Sequence, residues 1–172
     1  MIEQLPKSTL NWYAINTRPR FEKKVQQHLV QQNYISYLPL VTTIKQWSDR
    51  KKKVLTPLIP SYIFIKADEV DLKETLQIPG VVSFLKYLGK TAKVKNQEIE
   101  NLKILLQDTK NISFIKNAHL EKGKMVMVEN GVFKGLVAEC VQFNGKHRVI
   151  VRINGLENNI EVNIPLSFVS KI

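Results

Sequence analysis

The most apolar run of the chain is Thr56–Ile65, in which Ser61 is the only non-apolar residue from Leu58 onward. A run of this length is too short to cross a membrane and is typical of a buried strand. Pro57 and Pro60 cannot donate hydrogen bonds to a neighbouring strand, so we expect the strand proper to begin near Ser61.

Alternation along this strand separates an aromatic face from an aliphatic face. Tyr62 and Phe64 point to one side of the sheet, and Ile63 and Ile65 point to the other. We expect the isoleucines in the core and both rings at least partly exposed in a shallow apolar groove, since adjacent exposed aromatic residues mark an interface. A core strand that follows a solvated charged segment is the alternative interpretation of the same residues.

A helical period precedes this strand. Phe21, Val25 and Leu29 recur every four positions, which predicts an amphipathic helix over 19–33 with Pro19 in its first turn. At 100° per residue one flank of that helix is polar. It carries Arg20, Lys24, His28 and Gln31.

The rest of the N-terminal part alternates strands and helices. Further strands are predicted at Trp12–Asn16, Tyr34–Lys45 and Val81–Tyr87. Asp71 with Glu74 is expected to cap a short helix that ends near Gln77, and Asn96 a helix that ends near Leu106. The order β-α-β-β-α-β-α indicates an α+β fold, in which helices pack on an antiparallel sheet.

The pattern changes near residue 108. Five short β-rich runs follow a segment without sustained period, and they are Lys124–Glu129, Leu136–Phe143, Arg148–Ile153, Ile160–Ile164 and Phe168–Ile172. Three Asn-Gly pairs lie between them, at 130–131, 144–145 and 154–155, and Asn-Gly is a strong hairpin signal. The runs predict a small five-stranded β-barrel and not a helical hairpin, because glycine and asparagine are poor helix formers.

These patterns divide the chain into four segments. They are a flexible arm at 1–10, an α+β domain at 11–107, a linker with one short strand at 108–120, and the barrel at 121–172.

Charge adds an expected partner. The 172 residues carry a formal net charge of +11, which favours an anionic partner such as nucleic acid. Residues 1–110 contribute 18 basic minus 10 acidic side chains, or +8, so the first domain is the expected nucleic-acid partner. The most basic segment, Lys45–Lys53, is predicted to be a loop, with Lys51–Lys53 as a mobile phosphate-binding site.

The sequence offers no catalytic constellation. The three histidines (His28, His119 and His147) are far apart in the sequence, and the glycines occur singly. We therefore expect a protein that is not an enzyme and that holds no cofactor or metal. Cys140 is expected to fill a strand position as a small hydrophobe. No signal peptide or membrane span is predicted, so we expect a cytoplasmic protein that does not contact a membrane. We also expect a monomer.

Two long stretches resemble one family. NWYAINTRPRFEKKVQQHL, followed by YLPLVTTIKQWSDRKKKVLTPLIPSYIFIK and IPGVVSFLKYLG, resembles the N-terminal domain of the NusG family of transcription elongation factors. EKGKMVMVENGVFKGLVAECVQFNGKHRVIVRI is similar to the KOW domain that follows it, with Gly131–Gly135 as the glycine-bearing turn. The first part is most similar to specialised antiterminators of the RfaH and UpxY kind, which act on selected operons.

The resemblance implies particular partners and residues. The first domain would bind the clamp helices of RNA polymerase, bridge the DNA cleft and reduce pausing. The implied polymerase-binding residues are Ile59, Pro60, Tyr62 and Phe64. In some paralogues the first helix also contacts the non-template DNA strand. His28 stands where they carry a DNA-contacting histidine, and Arg18 where they carry a basic residue. The full set of nucleic-acid-binding candidates is Arg18, Arg20, Lys24, His28, Gln31, Lys51, Lys52 and Lys53.

One loop departs from the family pattern. Housekeeping NusG presents an aromatic residue in a barrel loop that docks termination factor Rho or a small-subunit ribosomal protein. Here the loop Arg152–Leu156 has Asn154 at that position, which puts a ribosomal-protein or Rho partner in doubt. The alternative function is that of an RNA- or ribosome-binding KOW protein that works without polymerase, and it requires aromatic residues beside a continuous basic face.

Overall fold

The computed structural model describes residues 10–47, 49–116, 123–143, 146–152 and 158–172. The chain forms two compact units. One contains Met1–Leu38 with Pro57–Val94, and the other contains Pro39–Thr56 with Lys95–Ile172. The predicted arm lies almost wholly outside the described residues. The predicted domain boundaries stay predictions.

The first unit is an antiparallel sheet with two helices. Its strands are β1 (Asn11–Thr17), β2 (Ile35–Tyr37), β5 (Tyr62–Ala67), β6 (Val81–Phe84), β7 (Lys86–Tyr87), β8 (Lys90–Thr91) and β9 (Lys93–Val94). The helices are α1 (Glu22–Gln31) and α2 (Glu69–Thr75). The sheet has the order β2-β5-β1-β6, and β9 also pairs with β1, while β7 and β8 form a separate hairpin. Strands β5 and β1 are therefore central, and Val25 and Leu29 of α1 are fully buried.

The second unit contains a two-stranded hairpin, a helix and a larger sheet. The hairpin consists of β3 (Leu40–Gln46) and β4 (Lys51–Pro57), and the helix is α3 (Asn96–Leu105). The remaining strands are β10 (Ile112–Lys116), β11 (Lys124–Val128), β12 (Val137–Phe143), β13 (Lys146–Arg152), β14 (Asn158–Val162) and β15 (Val169–Lys171). They form one sheet in the order β10-β14-β13-β12-β11-β15.

The strand-rich C-terminal part is confirmed, and the helical hairpin is absent from its described residues. The short strand expected within the linker is β10, and it pairs with β14 as a sixth strand instead of remaining outside the sheet. The Asn130-Gly131 pair does not close a two-residue hairpin. It lies in a longer connection between β11 and β12, where Gly131 and Gly135 both have positive φ. The other two Asn-Gly pairs, at 144–145 and 154–155, lie outside the described residues.

Three predictions about strands are wrong. The single strand predicted over Val81–Tyr87 is two strands in different sheets, since β6 pairs with β1 and β7 pairs with β8. The single strand predicted over Tyr34–Lys45 is two strands in different sheets, since β2 pairs with β5 and β3 pairs with β4. Pro39 lies between them, and a proline has no N–H to donate to a central ladder. The basic segment is not a loop, because Lys51–Lys53 belong to β4.

Three predicted helix starts are also displaced. Helix α1 begins at Glu22, so Pro19 and Arg20 lie in the preceding turn, where Arg20 has φ 68°. Helix α2 is capped by Asp68, whose carboxylate accepts hydrogen bonds from the backbone N–H groups of residues 70 and 71. Helix α3 is capped at Lys95, whose N–H donates to Glu98 at 2.9 Å, and Asn96 is already helical.

Helix α3 is fixed to the six-stranded sheet by an amide pair. The Asn101 Nδ2 donates to the Val137 carbonyl at 2.6 Å, and the Val137 N–H donates to the Asn101 Oδ1 at 3.1 Å. Pairing between β12 and β13 extends from Glu139 to Phe143, so Val137 lies beyond it. The side-chain amide of Asn101 thus takes the place of a neighbouring strand.

No helix within the described ranges is long and apolar enough to span a bilayer. The same ranges contain no group of three or more histidine, cysteine or acidic side chains arranged to hold a metal ion.

Candidate functional site

The four residues implied in polymerase binding divide into accessible and buried positions. Pro60 is exposed and Tyr62 is half-buried, so both can contact a partner. Ile59 is 1% exposed and Phe64 is fully buried. The expectation that the Phe64 ring is exposed beside Tyr62 is therefore wrong. The expectation that Ile63 and Ile65 belong to the core is confirmed.

The position of Phe64 in the sheet explains its burial. Strand β5 lies between β2 and β1, and Phe64 is directly opposite Tyr37 on one side and Ala14 on the other. Opposite residues of an antiparallel pair share a face, so a ring in the middle of a central strand is flanked by side chains on both sides. Tyr62 is opposite Asn16 at the end of the strand, where it retains accessible surface.

A buried carboxylate fixes the turn that presents Pro60 and Tyr62. The Ser61 N–H donates to Glu22 Oε1 at 2.8 Å, and Ser61 has φ 63°, a conformation that costs a non-glycine residue about 1–2 kcal/mol. Glu22 is in the first turn of α1, where a negative charge complements the helix dipole. Glu22 therefore couples the start of β5 to the start of α1.

Sequence reasoning overlooked this role of Glu22. The available signal was a single acidic side chain at the start of a basic helix, which the helix dipole alone explains equally well. Its contact with Ser61, a residue 39 positions away, depends on the tertiary fold.

The polar flank of α1 is accessible. Lys24 and Gln31 are exposed, and His28 is half-buried. The Lys24 Nζ lies 5.2 Å from the centroid of the Phe21 ring, which is compatible with a cation–π contact. Arg18 and Arg20 are also exposed, but they belong to the turn before α1 and not to the helical flank.

His28 lines a cleft of about 610 Å³ within the first unit. The cleft is lined by His28, Gln32, Tyr34, Glu74, Gln77, Ile78 and Pro79. Imidazole, amide, phenol and carboxylate groups thus surround one space. They offer both donors and acceptors for hydrogen bonds to a bound polar group.

The electrostatics of the cleft come mainly from α2. The Tyr34 hydroxyl donates to Glu74 Oε2 at 3.3 Å. Burial and the neighbouring carboxylates of Asp71 and Glu74 raise the pKa of Tyr34 above its ordinary value. Burial and the carboxylates of Asp68 and Glu74 also raise the pKa of Asp71. Both shifts favour the protonated form of the group, and the Tyr34 hydroxyl remains a hydrogen-bond donor to Glu74.

The family model described as transcription termination factor NusG matches residues 10–103. The chain belongs to the NusG family. The matched residues include β1, α1, β5 and the cleft, so the candidate surfaces all lie inside the part that defines this NusG-family chain.

Two curated relatives agree with this assignment. The chain is 24% identical over 173 residues to the transcription termination/antitermination protein NusG of Borreliella burgdorferi, which covers 88% of this chain and 94% of the relative. It is 22% identical over 165 residues to NusG of Staphylococcus epidermidis, with 88% and 91% covered. A solved structure of Thermotoga maritima NusG is 21% identical with a TM-score of 0.47, and 95% and 97% of the two chains are covered.

The remaining nucleic-acid candidates of this NusG-family protein lie in the second unit. Lys51, Lys52 and Lys53 are exposed along β4. Successive side chains of a strand point to opposite faces, so Lys52 faces away from Lys51 and Lys53. A regular strand displays them in fixed directions, in contrast to the mobile loop that the sequence predicted.

Proposed function

We propose that this protein is a cytoplasmic elongation and antitermination factor, without enzymatic activity, that binds the clamp helices of RNA polymerase as a monomer. It would suppress pausing or termination on selected operons. Family membership in termination/antitermination proteins supports the general class. The accessible Pro60 and Tyr62, on either side of Ser61, whose N–H is bound by Glu22, are the observation that carries the docking surface. An accessible aromatic residue next to a turn held by a hydrogen bond suits an interface anchor.

Tyr62→Ala should weaken binding of the full chain to core RNA polymerase by about tenfold or more, because a central aromatic anchor is the kind of residue that dominates an interface. Surface-immobilised polymerase with the protein as analyte measures this directly. Tyr87→Ala is the matched control, since Tyr87 is a 66% exposed tyrosine on the β7–β8 hairpin of the same unit. Equal affinities of the two variants would contradict the docking surface. Capture of ribosomes without polymerase from lysate would instead support the RNA- or ribosome-binding function.

The flank of α1 and the adjoining cleft are the proposed contact to the non-template strand. Arg18, Arg20 and Lys24 would attract phosphates without sequence preference. His28 and Gln31 would stack on a base or bond to its edge, and the donors and acceptors around the cleft suit a base edge better than a phosphate. Lys51, Lys52 and Lys53 would supply further phosphate contacts.

His28→Ala and Lys24→Ala should separate sequence preference from charge. Lys24→Ala removes one cation, so elongation past a pause should weaken by a similar factor on every template. His28→Ala should mainly reduce the preference for the cognate leader, by about fivefold or more if one base stack is lost. Pause lifetimes on cognate and unrelated templates provide the comparison. If neither variant changes either property, α1 contributes only ordinary helix surface.

A further inference from the structure

The hairpin of β3 and β4 carries an exposed tryptophan among cations. Trp47 is 52% exposed and follows the last residue of β3. The backbone N–H of Trp47 donates to the Arg50 carbonyl at 2.8 Å, so a backbone hydrogen bond closes the end of the hairpin. The Lys52 Nζ lies 5.6 Å from the centroid of the Trp47 ring. The indole is therefore held beside a cation with much of its surface accessible.

The side chains around Trp47 are mostly basic. Residues 45–53 contain five basic side chains and one acidic side chain. The acidic one, Asp49, contacts the neighbouring Arg50 at 3.5 Å, and both are largely exposed. Thr43 and Thr56 have hydroxyl oxygens 3.3 Å apart, so they share one face of the hairpin. By alternation Trp47 and Lys52 belong to that same face.

We propose that Trp47 is a stacking platform for an unpaired base of single-stranded nucleic acid, with Lys52 on the same face holding the adjacent phosphate and Lys51 and Lys53 on the opposite face attracting the flanking chain. Every nucleobase has a π face that can stack on an aromatic ring, and an arrangement of rings and cations is how single strands are bound without sequence preference. The proposal deepens the proposed nucleic-acid role of these lysines by adding the group that distinguishes a single strand from a duplex.

Charge favours this partner over a protein surface. The cores of protein–protein interfaces are depleted of lysine, whereas here Lys52 lies beside the ring and two further lysines lie on the other face of the same strand. A duplex presents phosphates but keeps its base faces stacked, so it would satisfy the cations and leave the indole unused. The combination of an accessible ring and adjacent cations is matched by a strand whose bases are free.

Binding of the full chain to a labelled oligothymidylate, without polymerase, tests the platform. Trp47→Leu should weaken binding about tenfold while the dependence on salt concentration stays unchanged, because a base stack is lost and no cation is removed. Trp47→Phe should retain most of the affinity. Lys52→Gln should make the slope of log affinity against log salt concentration less steep, by about 0.7. Fluorescence of the wild type should be quenched on binding, since Trp12 is buried and Trp47 is the accessible indole.

Three results would overturn the proposal. The first is wild-type affinity of Trp47→Leu for the single strand. The second is an equal loss of affinity for a duplex of mixed sequence, which would make Trp47 a general structural element of the hairpin. The third is tighter binding to phosphatidylserine vesicles than to the oligonucleotide, with loss in Trp47→Leu, which would indicate an interfacial membrane anchor. Because polymerase is absent from all three measurements, their failure is distinguishable from failure of the proposed docking at Tyr62.

Discussion

Phe64→Ala is expected to lower the free energy of unfolding by about 3–5 kcal/mol, because its fully buried ring leaves a cavity that the surrounding sheet cannot fill. Phe64 lies between Tyr37 and Ala14 on the central strand β5, so backbone pairing on both sides limits collapse. Urea unfolding followed by circular dichroism measures the change. A loss below about 1 kcal/mol would contradict the burial of this ring.

Tyr62→Ala is the matched control on the same face of the same strand. Its ring is half-buried, so we expect a loss of only about 1–2 kcal/mol. The two variants should therefore have opposite profiles. Phe64→Ala should chiefly reduce stability, whereas Tyr62→Ala should chiefly reduce the proposed binding to polymerase. At a temperature where both variants are folded, a stronger loss of polymerase binding in Phe64→Ala than in Tyr62→Ala would show that the Phe64 ring itself contacts the partner.

The sequence was sufficient to predict β5 and its alternation, because both are properties of a few consecutive residues. Whether a face is covered depends on neighbouring strands, and those come from distant positions. The side chains of Tyr62 and Phe64 point to the same face of the sheet and have similar chemistry. They differ in exposure because Tyr62 is at the end of β5 and Phe64 is in its middle. No local pattern in the sequence contains that difference.

The predicted start of α2 and the predicted loop around Trp47 were wrong for a related reason. The sequence pattern predicts Asp71 as the cap of α2, whereas the structure has Asp68, whose carboxylate accepts from two backbone N–H groups. The basic segment around Trp47 reads as a loop by composition, since a run of lysines is a poor strand signal. Pairing with β3 overrides that preference, and it turns a predicted mobile site into a hairpin with a defined face.

Asn101→Ala is expected to destabilise the second unit by about 2–4 kcal/mol, because it removes a donor and an acceptor that satisfy the backbone of Val137. Asn101 is only 4% exposed, so water does not readily replace the lost amide. The Ile104 side chain lies near Gly135, with its Cδ1 3.8 Å from where a Cβ on that glycine would stand. This apolar group cannot bond to the Val137 backbone.

Gln97→Ala provides the control for Asn101. Gln97 is exposed and donates to the same Asn101 Oδ1 at 3.1 Å, but it does not bond to Val137, so its loss should cost less than about 1 kcal/mol. Hydrogen exchange of the Val137 amide separates the two variants, since only Asn101→Ala removes its acceptor. Faster exchange in Asn101→Ala alone would show that α3 is held by β12. The first residues of α3 lie within the segment that the NusG family model matches. Unchanged exchange in both variants would mean that the helix does not dock on β12 in solution.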